Sequence, residues 1–332
     1  MKKVLITGIT GQDGAYLSRF LLTKGYNIIG LLRKDRESDL KNLEFLEVNN
    51  KVELIKTNLL DLSDIVKILK NNPIDEIYNL AAQSSVASSF KYPIETIEFN
   101  IMSHIKLLEA VRMINPKIKF YQASSSEMFG NIEKEKLPID KNVPFNPISP
   151  YGISKASSHW LTINYRKAYN LFAVCGITFN HESPLRNKNS VFKKILNTAV
   201  KISMGMVKEL KLGNLNVYRD WGYAPKYVEA MWLMLQQDIP QDYIISSGEA
   251  HNIEELVKKV FKKLNLEVEK YLVIDKDLFR TMDIPINYGD NSDARNNLKW
   301  DYNISFEQLI NQLLKEETQY IQWEMNNIKY LK

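Results

Sequence analysis

A doubly wound parallel α/β sheet of Rossmann type, with a smaller C-terminal α/β substrate-binding lobe, is the fold that this 332-residue sequence predicts. Three observations predict it. Short, almost wholly apolar runs recur between longer segments of helical period. A glycine triplet stands directly behind the first of those runs, and the regularity fades past Asn180.

The elements follow in order. Residues 4–7 read as the first strand, and the glycine loop behind it opens a helix over 15–24. Strands are expected at 28–32, 52–55, 77–80, 120–123 and 172–178, with helices over 64–70, 94–113 and 154–169 between them. Runs that are apolar on both faces suit parallel strands covered on both sides. Further on, helices are expected over 191–204, 227–237, 254–264 and 305–325, and 243–246 reads as a strand that returns to the sheet. Residues 1–179, plus about 225–248, are therefore assigned to a dinucleotide-binding domain, and 180–224 and 249–332 to the substrate lobe.

Composition narrows the classes. A hydrophobic share of 45% and a charged share of 25% fit an ordered globular chain and exclude disorder. The net charge of +5 is spread without a dense basic block, so no nucleic-acid partner is expected, while an anionic small molecule fits. Cys175, the single cysteine, permits no intrachain disulfide and no multi-cysteine metal site, and its apolar neighbours mark it as a buried structural thiol. His181 has no partner at ligand spacing, so a hydrogen-bonded structural histidine is expected and no metal. With no secretion signal and no apolar stretch long enough for a membrane span, a cytoplasmic protein is expected.

The loop Thr7-Gly8-Ile9-Thr10-Gly11-Gln12-Asp13-Gly14 has the spacing that lets a backbone turn tightly and approach a pyrophosphate at a helix N-terminus. Gly8, Thr10, Gly11, Gln12, Asp13 and Gly14 are its candidate contacts. At the end of the second strand Arg33 and Lys34 precede Asp35, and a basic pair there favours a 2′-phosphate, hence NADP over NAD. Asn58 and Leu59 are candidates for the adenine, and Ala81, Ala82 and Gln83 for the cofactor's ribose region.

Chemistry is concentrated in two segments. Tyr121-Gln122-Ala123-Ser124-Ser125-Ser126-Glu127-Met128-Phe129-Gly130 follows a strand, and Ser149-Pro150-Tyr151-Gly152-Ile153-Ser154-Lys155 starts a helix. Tyr151 and Lys155 share one helical face, where an ammonium beside a phenol favours the phenolate and so a base for a substrate hydroxyl. Ser124 and Ser126 are expected to alternate away from the substrate.

On these motifs the sequence resembles the GDP-mannose 4,6-dehydratase family of the extended short-chain dehydrogenase/reductase superfamily, GDP-manno-heptose 4,6-dehydratases included. The resemblance runs through 7–16, 78–83, 121–130, 149–155, 179–184, 212–222 and 227–238. Phe179-Asn180-His181-Glu182-Ser183-Pro184 and Arg219-Asp220-Trp221-Gly222 are particular to that branch.

The resemblance implies roles residue by residue. Tyr151 would be the base at the 4-hydroxyl, Lys155 would tune it and contact the nicotinamide ribose, and Ser125 would polarise the 4-oxygen. Glu127 would take the C5 proton and protonate the departing C6 hydroxyl. His181 and Arg186 join the cofactor set; Ser84, Ser125, Asn180, Gly213, Arg219 and Arg280 form the substrate set. The reaction implied is a closed redox cycle: oxidation at C4, loss of water across C5 and C6, and return of the hydride to C6. A homodimer or homotetramer is implied as well.

Four positions depart from the family pattern. Ser125 stands for threonine, Asn187 for a glycine, Lys226 for an acidic residue, and Asp283 for a longer carboxylate. GDP-mannose and GDP-manno-heptose both stay open as substrates. Two other functions compete. A 4-reductase or 4-epimerase would have no use for Glu127, and a non-catalytic NADP-binding sensor would leave every sugar nucleotide unchanged. Glu182 is expected to be a satisfied polar group at the domain junction, and Trp221, Tyr223 and Trp232 to pack between lobes.

Overall fold

The computed structural model of the chain describes residues 1–35, 37–279 and 282–329. Its strands are β1 (Lys3–Thr7), β2 (Asn27–Arg33), β3 (Glu53–Thr57), β4 (Glu76–Asn79), β5 (Lys119–Ser125), β6 (Ala173–Thr178), β7 (Asn180–Glu182), β8 (Leu210–Leu212), β9 (Tyr218–Arg219), β10 (Trp221–Tyr223), β11 (Tyr243–Ile245), β12 (His251–Asn252), β13 (Leu272–Ile274) and β14 (Ile286–Asn287). Seven form one parallel sheet in the order β11-β6-β5-β4-β1-β2-β3. The order reverses between β1 and β4, and ligands of such sheets bind outside the strand ends at that switch point.

Alternation along each strand sorts the two faces. Val4, Ile6, Tyr78, Tyr121 and Val174 pack with the helices Gln12–Thr23 and Ala224–Leu235. Leu5, Ile77, Phe120 and Ala173 pack on the other face with the helices Leu62–Asn71 and Ser103–Ile114. Both faces are therefore covered, which is why the strands read as unbroken apolar runs. Register sets Thr7 beside Asn79 and Ser125 beside Thr178, so the ends of β1, β4 and β5 line one edge.

Two helices differ from expectation. The helix expected from 154 starts at Pro150, because Ser149 caps it by accepting the Gly152 N–H at 3.0 Å and proline suits the first turn. The helix expected over 94–113 is present without interruption from Pro93 to Ile114, but it contains a π-helical turn, Glu98–Met102, between Pro93–Ile97 and Ser103–Ile114, and a further helix precedes it at Val86–Lys91. Asn100 accounts for the turn. Its side chain accepts from the Gln83 N–H at 2.8 Å and donates to the Gln83 carbonyl at 3.1 Å and the Ser154 hydroxyl at 2.9 Å, which the extra residue per turn allows by rotating Asn100 inward.

The second core joins Phe192, Ile195, Leu256, Val260, Leu309 and Leu313, from the helices Val191–Ser203, Ile253–Lys263 and Phe306–Lys329. Trp221 stacks on Phe306 at 6.0 Å, Tyr223 donates to Glu316 at 2.5 Å, and the Trp232 indole donates to Tyr26 at 3.0 Å. Trp221 and Trp232 thus pack within one core each rather than between lobes as expected, and Tyr223 alone of the three borders both cores. Lys193 and Glu317 form an ion pair at 2.5 Å with both side chains 1% exposed. Between the helices Val191–Ser203 and Ile253–Lys263 the chain returns to the sheet as β11, anchored where Arg166 makes two 2.7 Å bonds to Asp242 and the Cys175 N–H donates to the same carboxylate at 2.6 Å. No helix among the described residues is long and apolar enough to cross a membrane.

Candidate active site

β5 stops at Ser125, whose hydroxyl accepts the Glu127 N–H at 3.3 Å and turns the chain into the single helical turn Ser126–Met128. Glycine at 152 lets that turn meet the helix Pro150–Tyr169. A Cβ on Gly152 would stand 2.6 Å from the Glu127 carbonyl oxygen. Glu127 is thereby held against the first turn of the helix that carries Tyr151 and Lys155.

Tyr151 and Lys155 are both buried, with the ammonium 5.8 Å from the centre of the phenol ring. Burial pushes the Tyr151 phenol up to about 12; the Ser125 hydroxyl pulls against that and the Glu127 carboxylate adds to it. Burial lowers Lys155 to about 8, with Asp13 opposing. The ammonium donates to the Ala123 carbonyl at 2.7 Å.

Under this pair lies a buried polar floor that the sequence reading missed. Thr7 donates to Asn79 at 2.7 Å, Asn79 donates to Gln122 at 2.7 Å, and Gln122 donates to the Ala123 carbonyl at 3.2 Å. His104 extends it, with Nδ1 3.4 Å from the Asn79 amide and Nε2 3.0 Å from the Thr162 hydroxyl. Burial, reinforced by Lys155, lowers His104 to about 3, so the ring is neutral. Polar residues at the ends of apolar runs were the available signal for Asn79 and Gln122; nothing in the helical period marks His104 or Asn100.

The glycine loop closes on itself. The Gly11 N–H donates to the Gly8 carbonyl at 3.0 Å, Gly8 has φ +69°, and a Cβ on it would lie 2.9 Å from the Ala81 nitrogen. A Cβ on Gly14 would lie 2.4 Å from the Gly8 oxygen. The helix Gln12–Thr23 starts from Gly11 with no side-chain cap, which leaves its first N–H groups for an anion. Burial works against ionisation of Asp13, but the His181 ring, Gln12 and Arg186 outweigh it and hold the carboxyl at about 2.

The remaining candidates are placed as follows. Arg33 is exposed and bonded to Asp35 at 2.8 and 3.1 Å. Asn58 accepts the Leu60 N–H at 3.0 Å, whereas the Leu59 side chain belongs to the core. The Ala81 N–H donates to Thr7 at 3.0 Å, Ala82 is half-buried and Ser84 exposed. Asn180 donates to the Asp220 carbonyl at 3.4 Å, and Gly213 abuts the Leu278 carbonyl, where a Cβ would be 2.7 Å away. Arg219 is buried and donates to Asp283 at 2.7 Å and to the Ile284 carbonyl at 2.6 Å, so the shorter carboxylate of Asp283 reaches it. Arg280 lies outside the described residues. Asn287, on β14, donates to Ser126 at 3.4 Å and ties the second lobe to the end of β5.

Glu182 is not the satisfied polar group expected. Its Oε2 is buried without a hydrogen-bond partner, its Oε1 lies 3.7 Å from Arg186, and burial pushes the carboxyl up. His159, Cys175 and Asp242 bring possible ligand atoms within 4.8 Å of one another. Arg166 already occupies the Asp242 carboxylate and burial pushes the Cys175 thiol up, so this group reads as packing between β6 and β11. His181 is hydrogen-bonded as expected, to Asp13 and to the Phe179 carbonyl.

Residues 5–313 match the family model described as GDP-mannose 4,6 dehydratase. The chain is 43% identical to GDP-mannose 4,6 dehydratase 2 of Arabidopsis thaliana over 326 residues, which cover 95% of this chain and 87% of that protein. Its fold is that of dTDP-glucose 4,6-dehydratase from Bacillus anthracis, solved in complex with NAD, at a TM-score of 0.84 and 21% identity, covering 97% and 98% of the two chains. RMD from Pseudomonas aeruginosa, solved with NADPH, is similar at a TM-score of 0.80 and 20% identity, covering 96% and 99%.

Proposed function

The chain belongs to the GDP-mannose 4,6-dehydratase family, and from that premise we propose that it removes water across C5 and C6 of a GDP-linked, manno-configured sugar, with NADP as recycled cofactor. The observation that carries the reading is Glu127, a carboxylate held by its own backbone against the helix turn that presents Tyr151 and Lys155. A reductase or epimerase needs no such group.

The residues present fit a dinucleotide: a glycine loop in which a Cβ on Gly14 would strike the Gly8 oxygen and one on Gly8 the backbone at Ala81, and an uncapped helix N-terminus behind it. When bound, the nicotinamide supplies a hydride acceptor for C4 and the hydride donor for C6. Arg33 supports NADP, because its exposed guanidinium stands at the end of β2. Tyr151 takes the proton of the 4-hydroxyl, and the Lys155 ammonium favours the phenolate this requires. Ser125 donates to the 4-oxygen. Glu127 then takes the C5 proton, now acidic beside the 4-ketone, and returns a proton to the C6 hydroxyl, which leaves as water. In this reading residues 1–179 and about 225–248 carry the cofactor, while 180–224 and 249–332 hold the GDP portion through Asn180, Arg219 and the Gly213 segment. Exposed Ile153 and Trp160 on the catalytic helix offer a face that a second copy would cover in a homodimer or homotetramer.

Incubation with GDP-mannose and, separately, GDP-manno-heptose, without added reductant, tests this by product mass. Loss of one water with no net cofactor reduction is expected, and the relative rates assign the sugar. Unchanged sugars in the presence of bound NADP would overturn it.

A further inference from the structure

The glycine loop contains an electrostatic contradiction. Asp13 sits in the first turn of the helix whose N-terminus is to receive a pyrophosphate, and it is ionised. A carboxylate there suits the helix dipole of the empty protein, yet it repels the anionic ligand that the same helix end attracts.

The structure holds a counterweight. The His181 Nε2 lies 3.0 Å from both Asp13 carboxylate oxygens, and its Nδ1 lies 2.7 Å from the Phe179 carbonyl. Both ring nitrogens face acceptors, and the ring that satisfies both carries a hydrogen on each and a positive charge. His181 is itself fixed, 5% exposed and stacked on Tyr227 at 4.6 Å. Gln12 completes the clamp: its amide donates to Asp13 and to the His181 carbonyl, both at 3.0 Å, and accepts from Ser183 at 2.8 Å. Two consecutive loop residues are thus fastened to β7. The other ionisable groups in electrostatic reach are Arg186, acting on Asp13, Lys155, Tyr121 and Tyr151, acted on by Asp13, and Glu182 beside His181.

We propose that His181 is a charge-compensating positioning residue for the dinucleotide: by pairing with Asp13 it pins that carboxylate to β7 and cancels its charge at the helix end that takes the pyrophosphate. The inference rests on the dinucleotide reading of the glycine loop.

The test is a two-by-two set of full-length proteins, wild type, Asp13→Asn, His181→Asn and the double variant, each titrated with NADP and with NAD by calorimetry at low and high salt. His181→Asn leaves an uncompensated anion and is expected to weaken binding about tenfold, less so at high salt. Asp13→Asn is expected to bind at least as well as wild type. The double variant is expected to recover to within about threefold of wild type, because no charge remains to oppose the phosphates. A double variant as weak as His181→Asn would overturn the proposal and leave the pair a structural tie only. Recovery in the double variant also separates electrostatics from misfolding, since removing a second partner does not repair a damaged fold. Wild type that binds neither dinucleotide would overturn the cofactor reading, and this inference with it.

Discussion

At the scale of single residues, the site divides its chemistry between two environments. Tyr151 is pushed up to about 12 by burial, so it needs a neighbouring cation to act as a base, and Lys155 is that cation. Burial has lowered Lys155 to about 8, so the ammonium is present below that pH and is lost as pH rises through it. The pH profile of kcat/KM for dehydration should therefore show an alkaline limb near 8 that Lys155→Met removes along with most activity. For Glu127→Gln, we predict water loss slowed by about 100-fold to 10,000-fold, with substrate binding little changed. Product mass and a KM measurement check it; undiminished water loss in that variant would remove Glu127 from the elimination step. Tyr151 and Lys155 are legible from their four-residue spacing on one helical face, whereas Ser125 and Glu127 are picked out of a serine-rich strand end by the family resemblance. Glu182 is not legible, since an orphaned carboxylate oxygen depends on what packs around it.

At the scale of elements, two close approaches decide the geometry. The Gly152 position admits no Cβ without displacing the Glu127 carbonyl, 2.6 Å away. Gly152→Ala should lower kcat at least about tenfold by moving carboxylate and phenol apart, with the circular-dichroism spectrum of the fold retained. Unchanged kcat would show that the helix can shift without consequence. The π-helical turn is the second. Asn100→Leu breaks three hydrogen bonds of a buried side chain, and the loss is expected at about 1–3 kcal/mol per stranded group in urea unfolding. Apolar periodicity shows that a helix runs here but not its π-helical turn, because apolar spacing is blind to one inserted residue in a turn. The strands were legible for the opposite reason: with both faces covered, each is an unbroken apolar run bounded by polar residues.

At the scale of the whole molecule, stability depends on charges sealed in the interior. Glu317→Ala strands the Lys193 ammonium, 1% exposed, and should cost about 3–5 kcal/mol, whereas Lys193→Met with Glu317→Leu should restore most of it. Chemical denaturation of the two variants beside wild type measures both. Acid acts through buried histidines. Burial holds His104 at about 3 and His159 at about 4, below the ordinary value of 6.5, so the unfolded chain binds more protons in that window and stability falls as pH drops through it. His104→Gln should flatten the decline in melting temperature between neutral pH and about 4.5. The loss of regularity past Asn180 marks where the second hydrophobic core begins, but the small sheets β10–β7, β12–β9–β14 and β13–β8 were not legible, because two- and three-residue strands carry no period to read.

The late return of the chain as β11 has a consequence for biosynthesis. During translation β6 emerges from the ribosome well before the strand that caps its edge, and of the helices in between, Val191–Ser203 belongs to a core whose other helices are not yet made, while Ala224–Leu235 packs on the sheet. A nascent chain halted before Asp242 presents an open strand edge, with Arg166 lacking its carboxylate. Stalled chains ending short of β11 should accordingly be captured by chaperones or cleaved by added protease, and chains that extend past Ile245 and clear the exit tunnel should not.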